Sequence, residues 1–397
     1  MKNFIKKNKF IIFLFSLAFI IRLIYVLIID TPIISDFKTM YDASLELING
    51  TTNYKNMPYF LLWSYQMGHV IYQALLLSIC NSITFLEIIN CIITSLTVVL
   101  IYLICKMYAS DKSSKIVSIL YLFFPFPLFM NSVLSNQQLS LLLILISIYL
   151  FLNISHKKYI RESIIIGILL GISNVIRSEA IVIIVSLFLY TVLSIKRNFW
   201  KKPLICFLLI ILMYTAVFNC TSSILKISNI SPNGLKNSNP AWKFVTGLNY
   251  YSGGSYSQED AYKYASNYDL AKKEVFNRLK IYQKLPSLFV KKINTLWIKS
   301  DLYWPLDHIS SRTIYTTLTI INQYFIYIFI ILSILSFKCL SKMPPTHKLS
   351  FIILFIYFEI YLFIEVMPRY AYNLQPFEVI LSAFGLDRIF KYLKRNS

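Results

Sequence analysis

Acidic, amide and aromatic side chains are concentrated between residues 36 and 72, directly after the first long apolar run. Asp36 carries a carboxylate that can accept a proton in general base catalysis. Tyr65, Gln66 and His69 lie in one short segment, YFLLWSYQMGHVIYQ, and offer groups that suit a polar substrate. Structural roles stay open, because a loop aspartate is a common helix cap and tyrosines collect at membrane surfaces.

Three arginines have the chemistry to bind phosphate, because a planar guanidinium matches the geometry of phosphate oxygens. Arg369 follows Glu365 by one helical turn, so a structural ion pair is an alternative role for both residues. Arg177 and Glu179 repeat this combination in the segment NVIRSEA. Arg22 lies inside the first apolar run, where a charge is costly unless it is paired or faces a cavity.

The composition indicates an integral membrane protein. Mean hydropathy is +0.61, 57% of the residues are hydrophobic and only 14% are charged. Several apolar runs reach the roughly 20 residues that a membrane-spanning helix requires. Transmembrane barrels show alternating segments of about ten residues instead. We therefore predict an all-α polytopic membrane protein.

The net charge of +21 does not indicate nucleic-acid binding, because the basic residues separate the apolar runs instead of forming one patch. The positive-inside rule assigns these clusters to the cytoplasm. The clusters are Lys2 to Lys9, Lys106 to Lys115, Lys157 to Arg161, Lys196 to Lys202, Lys338 to Lys348 and Arg388 to Arg395.

Alternating these loops across the membrane predicts ten spans with both termini in the cytoplasm. The predicted spans are 10–29, 84–105, 116–131, 138–154, 163–176, 180–195, 203–223, 313–337, 349–366 and 375–390. This arrangement requires that residues 66–82 form a helix on the outer surface, which their interrupting polar residues favour. The chain then divides into a membrane module (1–223, with the first outer loop at 30–83), an outer segment with amphipathic helices (224–312) and C-terminal spans (313–397).

Local signals place helices in both outer segments. Ser35 or Asp36 is positioned to cap a helix that stops at Gly50. Ser257-x-x-Asp260 fits a capping box that opens a helix extending to about residue 283. Pro286 suits the first turn of a further helix.

The order of these features resembles the GT-C membrane glycosyltransferases, in particular the protein O-mannosyltransferase and aminoarabinose-transferase branch with its bacterial surface-polymer relatives. The resemblance extends over nearly the whole chain, although no single element is specific. It is carried by Arg22, Ser35-Asp36 with Tyr41 and Ala43, YFLLWSYQMGHVIYQ, Pro125 and Pro127, NVIRSEA, the W-x-x-x-x-G-L-N pattern from Trp242 to Asn249, and E-x-x-x-R-Y from Glu365 to Tyr370.

The resemblance implies a GT-C-type helical bundle of about ten spans with outer juxtamembrane helices. It implies inverting transfer of a monosaccharide from a polyprenyl-phosphate carrier, on the outer face of a bacterial cytoplasmic membrane. A cell-surface glycopolymer, glycolipid or protein would be the acceptor. Asp36 would be the catalytic base, and substrate would bind at Arg369, Arg177, Tyr370, Tyr65, Gln66, His69 and Arg22.

A departure from the family concerns metal binding. Many relatives carry a second acidic residue in the outer turn after the third span, where this chain has NSVLSNQQ with Asn131, Asn136 and Gln137. Amides are weak ligands for cations when carboxylates are absent. We therefore expect an enzyme without a metal and without an organic cofactor.

Two other classes of protein remain open. A lipid-linked oligosaccharide flippase or other transporter would need a continuous polar path through the spans, whereas the ionisable residues here cluster at the outer ends. A surface-polysaccharide polymerase or ligase would use similar lipid donors with a diphosphate leaving group. Fold analogy alone does not separate these activities.

Overall fold

The computed structural model describes residues 2–155, 157–194, 201–299, 302–338 and 340–396. Parts of four predicted segments lie outside the described residues. They are residue 195 at the end of the predicted span 180–195, residues 196–200 and 339 in the predicted basic loops, and residues 300 and 301 in the predicted outer segment 224–312. The described part is helical, with one isolated antiparallel bridge between Trp63 and Asn237.

Nineteen α-helices occur in the described residues. The first eleven are α1 Lys2–Ile28, α2 Ser35–Ile48, α3 Pro58–Leu62, α4 Met67–Leu77, α5 Ile83–Lys106, α6 Asp111–Phe123, α7 Pro125–Phe129, α8 Gln137–Leu152, α9 Tyr159–Ile176, α10 Ala180–Ser194 and α11 Lys201–Ile227. The remaining eight are α12 Trp242–Gly247, α13 Gln258–Tyr264, α14 Tyr268–Lys280, α15 Leu285–Ile293, α16 Tyr303–Leu306, α17 Arg312–Ser336, α18 Pro345–Phe363 and α19 Gln375–Asn396.

Six described helices are long and apolar enough to cross a membrane: α1 from Asn8, α5, α9, α11, α17 and α18. The bent pair formed by α6 and the segment Pro125–Ser132 would be a seventh. Helices α8 and α10 are apolar but have only 16 and 15 residues. The count of ten spans therefore stays a prediction, while the all-helical membrane architecture is confirmed.

The predicted span 116–131 is interrupted, because the helix breaks after Phe123 and its two parts are bent by 55° relative to each other. Proline at position 125 has no backbone N–H to donate and disfavours helical geometry in the residue before it. Phe124 accordingly has extended backbone angles (φ −63°, ψ 117°), and Pro125 begins the next helix. The break directs the following turn, residues 130–136, into the protein interior, where each of these residues is buried.

A pair of glycines brings α9 and α11 into close contact. A Cβ atom at Gly167 would lie 2.6 Å from the carbonyl oxygen of Ile210, and one at Gly171 would lie 2.7 Å from Cβ of Val217. This spacing of four residues allows membrane helices to approach closely where apolar side chains gain little from burial. Because α9 leads directly to Arg177, the contact sets where that arginine stands relative to α11.

The helices of the outer segments agree with most of the local predictions. α2 ends at Ile48, and Gly50 follows with a positive φ of 72°. Ser257 accepts a hydrogen bond from the backbone N–H of Asp260 at the start of α13, and Pro286 lies in the first turn of α15. The single helix predicted from 257 to about 283 is wrong, because Asn267 caps a second helix, α14, and so divides the segment.

The predicted sidedness can be tested by cysteine labelling of two exposed positions, Thr52 and Lys112. In a variant without native cysteines, we expect Thr52→Cys to react with a membrane-impermeant maleimide in intact cells. Lys112→Cys should react only after the cells are permeabilised, because the positive-inside rule places its loop in the cytoplasm. Labelling at position 112 in intact cells would contradict the arrangement.

Candidate functional site

The first turn of α2 carries Asp36 in an unusual backbone setting. Ser35, the first residue of the helix, has a positive φ of 55°, which is uncommon for a residue with a side chain. Ile34 occupies the capping position, so the prediction that Ser35 or Asp36 caps this helix is wrong. The carboxylate of Asp36 is instead 43% exposed and lines two adjoining cavities. Strained backbone of this kind often accompanies functional residues.

Close packing between α4 and α9 places Tyr65 and Gln66. A Cβ atom at Gly68 would lie only 1.8 Å from the carbonyl oxygen of Val175, so only glycine permits this contact. The preceding 3₁₀ turn, Ser64–Gln66, is thereby held near the C-terminal end of α9. Gln66 accepts a hydrogen bond of 3.1 Å from the side-chain amide of Asn136.

Arg177 follows the last residue of α9 and is held by a buried polar network. Its Nε donates to Oε1 of Glu179 at 2.6 Å, and its Nη1 donates to Oδ1 of Asn136 at 2.8 Å. Asn373 donates to the second carboxylate oxygen of Glu179. Arg177 and Glu179 thus form the ion pair that their spacing suggested, with side chains 17% and 14% exposed.

The segment after α18 places Glu365 and Arg369 in different surroundings. Glu365 pairs with Lys243 at 2.5 Å, and its backbone N–H donates to the carbonyl oxygen of Lys243 at 2.8 Å. Within the described residues there is no Glu365–Arg369 ion pair, so that alternative is wrong. The α-helical spacing that would bring these two side chains together is absent, because α18 ends at Phe363 and Arg369 lies in the 3₁₀ turn Pro368–Asn373.

The guanidinium of Arg369 combines aromatic packing with a loose ion pair. Its Nη2 lies 3.6 Å from Oδ2 of Asp36, and its carbon Cζ lies 4.5 Å from the ring centroid of Trp304. The rings of Phe37 and Tyr370 lie at 5.3 and 5.8 Å. In the described structure, Nη1 is buried and has no hydrogen-bond partner. An anion bound here would satisfy this donor.

Two cavities meet at these residues. The first, of about 600 Å³, is called here the cationic cavity, because Arg177, Lys243 and Arg369 line it. The second, of about 330 Å³, is called the aromatic cavity, and its rings are those of Tyr59, Trp63, Trp242, Tyr256 and Trp304. Both cavities share Asp36, Tyr65, Gln66, Lys243, Glu365, Arg369 and Tyr370.

The structure therefore brings Asp36, Arg369, Arg177, Tyr370, Tyr65 and Gln66 together, although these residues come from distant parts of the chain. Apolar and aromatic residues of three helices complete the cationic cavity: Ile181 of α10, Tyr214 and Phe218 of α11, and Tyr361 of α18.

Charges at the site are closely balanced. Burial is the largest single effect on Lys243 and lowers its pKa, but the charge and hydrogen bond of Glu365 together with Tyr370 and Tyr65 outweigh it and raise the pKa of the ammonium well above its ordinary value. Burial, with a smaller effect from Asp36, likewise raises the pKa of Tyr59. The phenol is therefore a neutral hydroxyl, and among the described side chains it is buried without a hydrogen-bond partner.

Two predicted substrate-binding residues lie apart from both cavities. His69 is buried, with Nε2 3.4 Å from the carbonyl oxygen of Leu134. Arg22 is fully buried in α1, and its Nη1 donates to the carbonyl oxygen of Ala18 at 3.2 Å. Neither residue lines the cationic or the aromatic cavity.

Lys243 was missed as a site residue in the sequence, although it directly follows Trp242 of the W-x-x-x-x-G-L-N pattern. The amides of the turn NSVLSNQQ were judged only as weak metal ligands. Here Asn131 accepts a hydrogen bond from Thr94, Asn136 connects Arg177 to Gln66, and Gln137 donates to the carbonyl oxygen of Arg369. Asn136 and Gln137 thus hold site residues in place, whereas Asn131 supports the turn itself.

Comparison with protein families matches the central part of the chain. Residues 67–220, which extend from α4 into α11, match the family of dolichyl-phosphate-mannose-protein mannosyltransferases. This segment includes Arg177 but excludes Asp36, Lys243 and Arg369. A search of curated proteins finds no match.

Comparison with solved structures shows the fold. The chain is similar to the oligosaccharyltransferase AglB from the archaeon Archaeoglobus fulgidus in complex with an inhibitory peptide and a dolichol-phosphate, with a TM-score of 0.54 and 10% sequence identity. The match covers 98% of this chain and 51% of AglB, so the chain spans about half the length of that enzyme. With the family match, it confirms the predicted GT-C fold of a membrane protein.

The network around Arg177 predicts a large stability difference between two glutamate variants. Glu179→Ala leaves a buried guanidinium without its carboxylate, so we expect a loss of about 3 kcal/mol in the free energy of unfolding. Glu259→Ala removes an exposed pair with Lys263 and should have little effect. Thermal unfolding of the purified variants in detergent measures both changes. Equal changes would contradict a buried, structurally important pair at Arg177.

Proposed function

We propose that this chain is an inverting glycosyltransferase that moves a monosaccharide from a polyprenyl-phosphate carrier to a cell-surface glycopolymer, glycolipid or protein. The reaction would occur on the outer face of a bacterial cytoplasmic membrane, with both termini in the cytoplasm. One observation carries the proposal. Asp36 and the unpartnered Nη1 of Arg369 lie on the wall shared by a cationic cavity and an aromatic cavity.

The cationic cavity suits the donor. The free N–H of Arg369 offers a hydrogen bond to a phosphate oxygen, and Lys243 adds positive charge nearby. Ile181 of α10 and aromatic rings of α11 and α18 on the same cavity suit the first isoprene units of the carrier. The name of the matching family and the dolichol-phosphate bound to AglB are consistent with a lipid-phosphate donor.

The aromatic cavity suits the acceptor and the transferred sugar. Trp63, Trp242 and Trp304 offer ring faces against which a sugar can pack. The hydroxyl of Tyr59 is available for a hydrogen bond. Asp36 stands between this cavity and the cationic cavity, where an acceptor hydroxyl and the anomeric carbon of the donor would meet.

The proposed reaction has one bond-forming and one bond-breaking event. Asp36 accepts the proton of the acceptor hydroxyl, and the oxygen attacks the anomeric carbon on the face opposite the phosphate. The bond between that carbon and the phosphate oxygen breaks, and its electron pair leaves with the polyprenyl phosphate. Arg369 stabilises the additional negative charge on the phosphate. Attack from the opposite face inverts the anomeric configuration.

No metal is required in this scheme, because arginine and lysine side chains can stabilise a monophosphate leaving group. Among the described residues, no three His, Cys, Asp or Glu side chains are grouped as a metal site. Metal independence stays a prediction. Transfer measured with and without a chelator would test it.

Replacing the proposed base should abolish transfer and leave the fold intact. Asp36→Asn keeps the size of the side chain but cannot accept the proton, so we expect the rate to fall by about 10²-fold or more. Asp42→Asn is the matched control, because Asp42 lies on the same helix in an exposed pair with Lys38. The donor lipid can be isolated from cells that lack the protein and identified by mass spectrometry. Near-normal transfer by Asp36→Asn would contradict the proposed mechanism.

Replacing the proposed phosphate ligand should affect the donor selectively. Arg369→Lys keeps the charge but loses the planar fork and its packing against Trp304, so it should weaken use of the donor. Kinetics at varied donor concentration should show a higher KM for the donor, while the KM for the acceptor changes little. A change only in the KM for the acceptor would show instead that Arg369 acts on the acceptor and not on the donor.

A further inference from the structure

A third cavity lies in the outer segment, away from the proposed base. It has a volume of about 600 Å³ and is called here the outer-loop cavity. It is lined by the turn after α12, by α13 and α14, and by the start of α15. Tyr256 lines both this cavity and the aromatic cavity, so the two adjoin.

A rigid polar frame supports the outer-loop cavity. The carboxylate of Asp260 accepts two hydrogen bonds from Arg278, of 2.9 and 2.7 Å, and a third from Asn249 at 2.7 Å. The side-chain oxygen of Asn249 in turn accepts from the backbone N–H groups of Tyr251 and Ser252. Arg278 and Asp260 are only 14% and 6% exposed, so this frame is built into the loop.

The charges around the cavity indicate an uncharged ligand. Its lining includes three carboxylates, those of Glu259, Asp260 and Glu274, and three cations, those of Lys263, Arg278 and Lys284. Arg278 pairs with Asp260 and Glu274, and Lys263 pairs with Glu259. Among the described residues, no nitrogen of Lys263, Arg278 or Lys284 is buried without a hydrogen-bond partner, unlike Nη1 of Arg369 in the cationic cavity that is proposed for the phosphate.

Tyrosine rings give the cavity an amphipathic surface. Tyr250, Tyr251, Tyr256 and Tyr264 line it, and Tyr251 is 87% exposed. Tyr250 and Tyr251 stand edge to face, with centroids 5.8 Å apart, and Lys284 lies 5.1 Å from each centroid. Ring faces next to amides, hydroxyls and paired charges suit the C–H faces and hydroxyls of sugars.

We infer that the outer-loop cavity binds further sugar residues of an uncharged acceptor glycan whose terminal residue reaches Asp36 through the aromatic cavity. The inference rests on the proposed function and narrows its acceptor to a glycan chain. The volume of 600 Å³, against 330 Å³ in the aromatic cavity, gives room for more than the reacting residue.

Transfer to the natural acceptor tests this inference with the full chain. Membranes of cells that lack the protein supply the unmodified acceptor, and labelled donor lipid supplies the sugar. Tyr251→Ala should raise the half-saturating amount of acceptor by about tenfold, as expected for loss of an aromatic binding residue, and leave the maximal rate nearly unchanged. Tyr251→Phe keeps the ring and should behave like the unaltered chain.

Tyr262→Ala is the matched control, because Tyr262 is 89% exposed on α13 and does not line the cavity. Labelled product should remain large after digestion with proteinase K if the acceptor is a glycan. Conversion of the label to small glycopeptides would show a protein acceptor and overturn the inference. Equal acceptor dependence in Tyr251→Ala and Tyr262→Ala would overturn it as well.

A binding measurement separates this inference from the proposed function. Polysaccharide extracted from the same membranes is bound to the immobilised protein in the absence of donor lipid. Weaker binding to Tyr251→Ala than to Tyr262→Ala supports the cavity even if no sugar is transferred, whereas equal binding overturns it. Absence of transfer by the unaltered chain would contradict only the proposed function.

Discussion

The contacts of one buried lysine hold the outer segment against the membrane helices. Lys292 of α15 is 1% exposed, and its Nζ donates to the carbonyl oxygens of Gly247, Leu362 and Ile364 at 2.8, 2.8 and 2.7 Å. Removing this group would leave three carbonyl groups near the end of α18 without these donors, which is costly in a buried place. The contact thereby fixes the backbone immediately before Glu365.

The site residues depend on that fixed backbone. Val366 donates to the carbonyl oxygen of Gly254, and Glu365 donates to that of Lys243, so two further hydrogen bonds continue the attachment. Arg369 follows within four residues and reaches Asp36 from the opposite wall. The walls of the cationic and aromatic cavities therefore come from both the outer segment and the membrane helices, and neither part builds the site alone.

The ion pairs of the site differ in length. This difference separates the pairs that hold the site together from the pair that is proposed to act in the reaction. Arg177 with Glu179 and Lys243 with Glu365 are close pairs whose hydrogen bonds are largely satisfied. Arg369 with Asp36 is longer, at 3.6 Å, and leaves one guanidinium nitrogen without a partner in the described structure. A loose pair can separate when substrate binds, because each group gains a new partner. On the proposed function, Asp36 would turn to the acceptor hydroxyl and Arg369 to the phosphate.

The sequence by itself determined the class of the protein and much of its local structure. Composition and apolar run length indicated membrane helices, because a helix satisfies its own backbone in lipid. Gly50, Ser257 and Pro286 marked helix ends through φ preference, side-chain capping and the missing N–H, which act within a few residues. The order of motifs indicated the GT-C fold. It also directed attention to Asp36, Arg177 and Arg369, which share one cavity.

Only the tertiary structure decided which charged groups meet. By sequence spacing, Glu365 could have paired with Arg369 on one helix. Because α18 ends at Phe363, the two residues do not share a helix, and Glu365 pairs instead with Lys243, which is 122 residues away. The positive φ of Ser35 likewise had no local signal. Pro125 marks the break before residues 130–136, but nothing local shows that this turn is buried. Such features result from the packing of distant segments, where the burial of each charge or amide selects its partner from whatever the fold brings near. Sequence spacing describes only neighbours on one helix, so it could suggest these residues but not their pairing.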